Sequence, residues 1–167
     1  MLACLDVDYR ADGSARAAAL VTRGWMDAEP VEARTRSIPH VPAYTPGAFF
    51  RRELPCLLAV LAPPIPGLQA VIVDGYVTLD AAGTPGLGAH LFGALGGAVA
   101  VVGVAKSPYW GSPHAAPVQR GQARRPLYVT AAGLPLAEAA ALVASMHGAH
   151  RLPTLLRQVD RLCRDAP

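Results

Sequence analysis

Cysteine is scarce: Cys4, Cys56 and Cys163 are the only three in 167 residues, far apart and odd in number. No Cys-x-x-Cys spacing occurs. The pattern fits buried thiols in a reducing, cytoplasmic compartment better than a disulfide framework. A signal peptide is also missing from the reading. Met1-Leu2-Ala3-Cys4-Leu5-Asp6 has no basic n-region and reaches a carboxylate too early. There is no internal repeat and no sign of a second domain, so residues 1–167 read as one domain. Strong charge is absent too. Fifteen basic and twelve acidic residues leave a net charge of +3, which permits a nucleic-acid partner without requiring one. The longest apolar run, Gly86 to Ala105, has only His90 as an ionisable group, and at about 20 residues it meets the length of a membrane span. Gly96-Gly97 divides it into a helix-like half, Gly86–Leu95, and a β-branched half, Ala98–Ala105. A buried helix followed by a buried strand is expected, with no membrane segment.

What is present is apolar: 52% of the residues are hydrophobic, which excludes disorder and allows a real core. Leu2–Tyr9 reads as a strand, Ala11-Asp12-Gly13-Ser14 as a turn, and Ala17–Arg23 as the returning strand. Val31–Ser37 alternates as a third strand. Phe49, Phe50, Leu54, Leu57, Leu58 and Leu61 recur at helical spacing across Gly47–Leu61, with Pro55 inside as a candidate kink. Gln69–Val73 is a continuous apolar run, as in a central strand covered on both faces. Ser107–Arg125 reads as a loop, Pro126–Thr130 as a short strand, and Leu136–His147 and Pro153–Cys163 as helices. Trp25 is expected to pack at a strand end, and Leu142 and Met146 in the core. This order predicts an α/β fold, a mixed β-sheet flanked by α-helices.

Three acidic residues stand where apolar segments end or turn: Asp6, Glu53 and Asp74. Asp74-Gly75 closes the central strand, the end at which open α/β sheets place ligands. Asp6 and Asp8 share one face of the first strand by period two, so either can point at such a site. Lys106 follows the apolar run Val101–Ala105. Each alone has a plain structural reading: a turn residue, a surface charge on a helix, a strand end. Together, carboxylates that converge beside a lysine suggest a divalent metal and phosphate chemistry.

In order, these segments resemble the endonuclease V family. Leu5-Asp6-Val7-Asp8-Tyr9 is similar to its first-strand aspartate motif. Tyr44-Thr45-Pro46-Gly47 followed by Arg52-Glu53 resembles its Tyr-Ile-Pro-Gly to Arg-Glu block. Val73-Asp74-Gly75, Gly88-Ala89-His90-Leu91 and Gly103-Val104-Ala105-Lys106-Ser107 resemble further blocks, as do Arg125-Pro126-Leu127-Tyr128-Val129 and Arg151-Leu152-Pro153. The resemblance implies an RNase H-like fold and a Mg²⁺-dependent nuclease, with Mn²⁺ as a substitute. Such enzymes recognise inosine, deaminated adenine, in DNA or RNA. It implies Asp6, Glu53 and Asp74 as metal ligands and Lys106 as a fourth catalytic group. Tyr44, Thr45 and Pro46 would form a wedge beside the lesion. Gly47, Gly75 and Gly103 would let backbone approach a flipped base, with His90 and Arg125 as further nucleic-acid contacts. A monomer is expected.

The chain also departs from the family pattern. It begins almost at the first strand, without the usual N-terminal helix. The Asp-Gly-x-Gly-x-x-His-Pro motif becomes Asp74-Gly75-Tyr76-Val77-Thr78-Leu79-Asp80-Ala81. Val77 is therefore expected to add bulk in the base pocket, and Asp80 to replace a histidine. Gly133-Leu134-Pro135 stands where the family has Gly-His-Arg. These changes leave a competing reading: a nucleic-acid-binding or interaction protein that kept the scaffold and lost catalysis. Trp110 and Tyr109 are candidates to stack on bases from their loop.

Overall fold

A computed structural model of the chain describes residues 1–43, 45, 47, 49–110 and 113–165. The elements run β1 (Leu2–Tyr9), β2 (Ala15–Thr22), β3 (Glu32–Ile38), α1 (Phe50–Leu61), β4 (Ala70–Asp74), α2 (Leu87–Ala94), β5 (Ala100–Ala105), β6 (Ala116–Val118), β7 (Leu127–Ala132), α3 (Leu136–Ser145) and α4 (Thr154–Asp165). One sheet contains the strands in the order β3-β2-β1-β4-β5-β7-β6. β1 and β2 form an antiparallel hairpin. Its turn is held by Asp12, whose carboxylate accepts from the Ser14 N–H at 2.9 Å and the Ser14 hydroxyl at 2.6 Å. β1, β4 and β5 are mutually parallel at the centre, and β7 returns antiparallel to β5. The sheet is therefore mixed, as the element order predicts.

Period-two alternation sorts the central strands onto two cores. Cys4, Ile72, Val102 and Val129 face α3 and α4, meeting Ala139, Val143, Leu155 and Val159. Ala3, Leu5, Val71, Val73 and Val101 face the other way, against Leu57 and Val60 of α1 and Leu91 of α2. β4 is thus covered on both faces, which explains its unbroken apolar run. Each fully buried Leu or Val contributes about 1.5–3 kcal/mol of transfer free energy.

Two expectations need correction. The segment Ser107–Arg125 is not all loop, because β6 pairs with β7 inside it; a three-residue strand carrying Pro117 gives too short an alternation to read. Leu142 is half-buried rather than core, while Met146 is buried. α1 runs unbroken through Pro55, whose missing N–H would have served Arg51, one turn from the helix start. Trp25 packs against the core just past β2, as expected. Among the described residues no helix is long and apolar enough to cross a membrane. The buried Arg120 guanidinium closes α3, donating to the carbonyls of Val143 (3.2 Å), Met146 (2.6 Å) and Gly148 (2.8 Å). A cation at a helix C-terminus meets its unpaired carbonyls and the negative end of its dipole.

Candidate functional site

Register brings the two strand aspartates together. Leu5 pairs with Val73 across parallel β1 and β4, so the next residues, Asp6 within β1 and Asp74 at the end of β4, occupy corresponding positions and turn to the same face. Asp74 in turn pairs with Val104 of β5, and Lys106, two residues on, shares that face. Lys106 Nζ lies 2.5 Å from Asp74 Oδ2. With Leu152, Leu156 and Val159 these groups line a cleft of about 20 Å³, room for roughly one water. Asp8 shares the face with Asp6 but sits farther along, opposite Arg16 of β2.

Glu53 reaches this region from the other layer. It lies in the first turn of α1, which packs on the opposite face of the sheet, and it is only 6% exposed. Among the described residues none donates a hydrogen bond or an ion pair to its carboxylate. Burial, then the charges of Asp6 and Asp74, pushes its carboxyl up to about 8. Asp6 is pushed up to about 6, chiefly by burial and despite a 2.8 Å bond from the Val7 N–H, with Asp74 and Asp160 adding repulsion. For Lys106 burial works against the charge, but the hydrogen bond and charge of Asp74 outweigh it and raise the ammonium above its ordinary value.

These couplings expose a residue that the sequence reading passed over. Asp160, on α4, acts on Asp6, Lys106 and Cys163. Its signal was present in the apolar stripe Leu155, Val159, Cys163: Asp160 follows Val159 at the edge of that stripe, where a carboxylate borders the sheet. Arg151, just before α4, donates to the carbonyls of Lys106 and Pro126, the latter at 2.8 Å. It ties the Lys106 segment to β7 and places the exposed Arg125, next to Pro126, at the rim.

The donor set suits a hard divalent cation: carboxylates in excess of cations, one of them buried with nothing to compensate it. As placed, among the described residues no three His, Cys, Asp or Glu side chains enclose a metal-sized position. Lys106 occupies Asp74, and Glu53 approaches from across the sheet.

Asp74 also lines a second cavity, of about 330 Å³, on the α1–α2 side. Phe50, Gly75, Tyr76, Leu79 and Tyr109 wall it, together with Gly47 and Phe49. Gly75 adopts φ +131°, a backbone that only glycine takes easily. His90 stacks on Phe50, ring centroids 3.6 Å apart and 13° from parallel; its ring buttresses the wall. Tyr44 and Pro46 of the expected wedge lie outside the described residues, and Thr45 is exposed.

Two expectations about this pocket, those for Val77 and Gly103, are overturned, and Asp80 takes a local structural role. Val77 does not intrude into it: the side chain is 1% exposed and packed in the core beneath α2. Asp80 serves its own turn, accepting from the Thr84 N–H at 3.0 Å and the Thr84 hydroxyl at 2.6 Å. Gly103 admits the chain's own backbone rather than a base. A Cβ there would meet Gly75 O at 2.6 Å, Thr130 Oγ1 at 2.8 Å and Val77 N at 2.9 Å. The close approach lets Thr130 accept the Val77 N–H at 2.8 Å, which fixes the pocket wall on the sheet.

Comparison with known proteins gives a consistent picture. The family model described as Endonuclease V matches residues 1–134. No curated protein matches. Among solved structures, the endonuclease V of Streptomyces avermitilis is 26% identical with a TM-score of 0.74, over 98% of this chain and 79% of that one. Human endonuclease V is 24% identical with a TM-score of 0.78, over 98% and 82%. The Ciona intestinalis enzyme, solved with DNA containing an inosine, is 19% identical with a TM-score of 0.77, over 98% and 84%. The mixed seven-stranded sheet with its flanking helices is the RNase H-like α/β fold of these structures.

Proposed function

This chain belongs to the endonuclease V family, and from that premise we propose that it is a metal-dependent endonuclease cutting a phosphodiester near a deaminated base, inosine, in DNA or RNA. The observation that carries this reading is the position of Asp74. It ends the central strand beside Asp6, bonds Lys106, and borders a cavity large enough for one flipped base.

Asp6, Glu53 and Asp74 would hold the ion, with Asp160 adding negative charge that acts on Asp6 and Lys106. A bound Mg²⁺, or Mn²⁺ in its place, would supply Lewis acidity to activate water and to offset phosphate charge. The protein's own contributions are separate. Glu53 is the buried carboxylate whose charge most needs a counter-cation. Lys106, half-exposed, offers its ammonium to a phosphate oxygen when released from Asp74. The aromatic walls Phe50, Tyr76 and Tyr109 supply π-faces to an extruded base and exclude water from it. By the family resemblance, Tyr44-Thr45-Pro46 and Gly47 would open the strand beside the lesion, and Arg125 would meet backbone phosphate at the rim. Three free, buried cysteines support a reducing, cytoplasmic setting, and the protein is proposed to act as a monomer.

The Lys106–Asp74 ion pair and the open arrangement of carboxylates favour one other reading, a strand-binding protein without catalysis. One experiment separates them. Labelled strands carrying a single inosine, DNA and RNA, are incubated with the protein and Mg²⁺ or Mn²⁺, alongside unmodified strands and EDTA controls. Cleavage close to inosine that requires metal supports the nuclease; binding without cleavage under every condition supports the alternative.

A further inference from the structure

Trp110 is 97% exposed. Tryptophan is highly buried on average, and an indole held in water gives up the largest apolar surface any side chain can contribute. The backbone that carries it is nonetheless firmly anchored. The Tyr76 hydroxyl donates to the Ser107 carbonyl at 2.8 Å and accepts the Tyr109 N–H at 3.0 Å. The Tyr76 and Tyr109 rings meet at 5.9 Å. Arg151 donates to the Lys106 carbonyl. Beyond Trp110, His114 Nε2 lies 3.2 Å from the Thr78 carbonyl and 3.0 Å from the Thr78 hydroxyl; a carbonyl only accepts, so Nε2 carries the proton. Anchors on both sides of Trp110 therefore lead to Tyr76 and Thr78, the stretch that walls the 330 Å³ cavity.

We propose that Trp110 is a base-stacking residue, clasped in place by Tyr76 and His114 so that its indole covers the nucleobase next to the one in the pocket. The inference rests on the nucleic-acid reading above and adds a contact to it. Tyr109 lines the pocket, and its neighbour Trp110 stands one Cα step away, about 3.8 Å along the chain, pointing outside. Consecutive nucleotides at this place thus meet consecutive aromatic residues: one base enters the cavity, and the next finds an open π-face. Stacking tolerates any base, because every base has such a face. It requires that face to be free of its duplex neighbour, so the contact favours single-stranded or frayed strands. Tyr76 is a positioning residue in this scheme, acting through the segment it holds.

The chain has two tryptophans, Trp25 and Trp110, so Trp25→Phe leaves Trp110 as the sole indole reporter. That protein is titrated in EDTA with a single strand carrying inosine. Quenching of Trp110 emission is expected. In the native background, Trp110→Ala should weaken binding about tenfold, the usual scale of one lost base stack, and Trp110→Phe should restore most of it. Tyr76→Phe, which removes only the clasping hydroxyl, should fall between. A strand abasic beside the inosine should bind the native protein about as weakly as an intact strand binds Trp110→Ala, and that variant should lose nothing further. The affinity comparisons keep Trp25, so they stand even where Trp25→Phe fails to fold. Unquenched emission with unchanged affinity for Trp110→Ala, while inosine strands are still bound and cut, overturns the stacking role and leaves the nuclease reading intact. Concentration-dependent emission without any strand would show self-association through the indole and also overturns it. Failure to bind any strand removes both readings.

Discussion

Gly88 is small where Val77 is large: a Cβ on Gly88 would lie 2.7 Å from Val77 Cγ2 and 3.0 Å from Val77 Cα. The Asp-Gly-x-Gly motif that the chain resembles has a glycine at position 77, and the valine here takes the space that a side chain at Gly88 would need. The two residues divide the volume of one core contact. Val77→Gly should cost about 3 kcal/mol through the cavity and the freed backbone. Gly88→Ala should cost about 1–3 kcal/mol through overpacking. The double variant should be more stable than the sum of the two by about 1 kcal/mol or more, read from denaturant midpoints at constant m. Simple additivity would show that the two positions do not compensate. Because Val77 lies outside the pocket, Val77→Gly should also leave the ratio of inosine to adenine cleavage within about twofold of the parent, on the scale of a few tenths of a kcal/mol.

Glu53 gives the metal-free protein a pH dependence of known sign. Burial pushes its carboxyl up to about 8 in the folded protein, against about 4.5 in the unfolded chain. Between those values the folded state binds more protons than the unfolded chain, so stability falls as pH rises. The contribution is fully present below about 4.5 and is lost through pH 8. In EDTA, Tm should therefore drop from pH 5.5 to 8.5, and Glu53→Gln should flatten that drop and raise Tm at the upper end by roughly 3 °C or more. The same substitution should remove metal-dependent cleavage. A Glu53→Gln protein that melts lower than its parent at pH 8.5 contradicts the account.

Asp74→Asn should abolish cleavage by at least about a hundredfold, while strand affinity in EDTA stays within roughly threefold, because affinity comes mainly from phosphate contacts by Arg and Lys. Asp160→Asn is expected to lower cleavage as well, with less effect on binding. Undiminished cleavage by the Asp74 variant would remove Asp74 from the ligand set.

Arg120→Met should lower stability by about 3 kcal/mol, since three carbonyls at the end of α3 lose a charged donor. At this chain length that corresponds to a Tm decrease of about 6–12 °C. A change under about 1 °C would mean that water serves those carbonyls equally well.

The strands were legible because β1, β4 and β5 are covered on both faces or alternate cleanly, and such runs leave little choice of structure. Asp6 and Asp74 stood out because a carboxylate inside or at the end of an apolar strand has few structural reasons to be there. What could not be read was direction at a finer scale. Tyr76 and Val77 are adjacent, and only the turn at Gly75 decides which enters the pocket and which enters the core. Gly103 looks like a ligand-approach glycine in sequence, yet the backbone approaching it is Gly75 to Val77. Asp160 was missed because a helix edge offers many charged positions, and only the packing of α4 on the sheet singles one out.

The family match ends at residue 134, whereas Arg151 and Asp160 both lie beyond it. A polypeptide emerging in order would complete Asp6, Glu53, Asp74 and Lys106 while the Lys106 carbonyl still lacked its clasp and the sheet face under α4 stood open to water. The charged centre thus has its full surroundings only once α4 is packed on the sheet. A chain cut short after β7 would keep the four named groups and lack the layer that sets their distance from solvent.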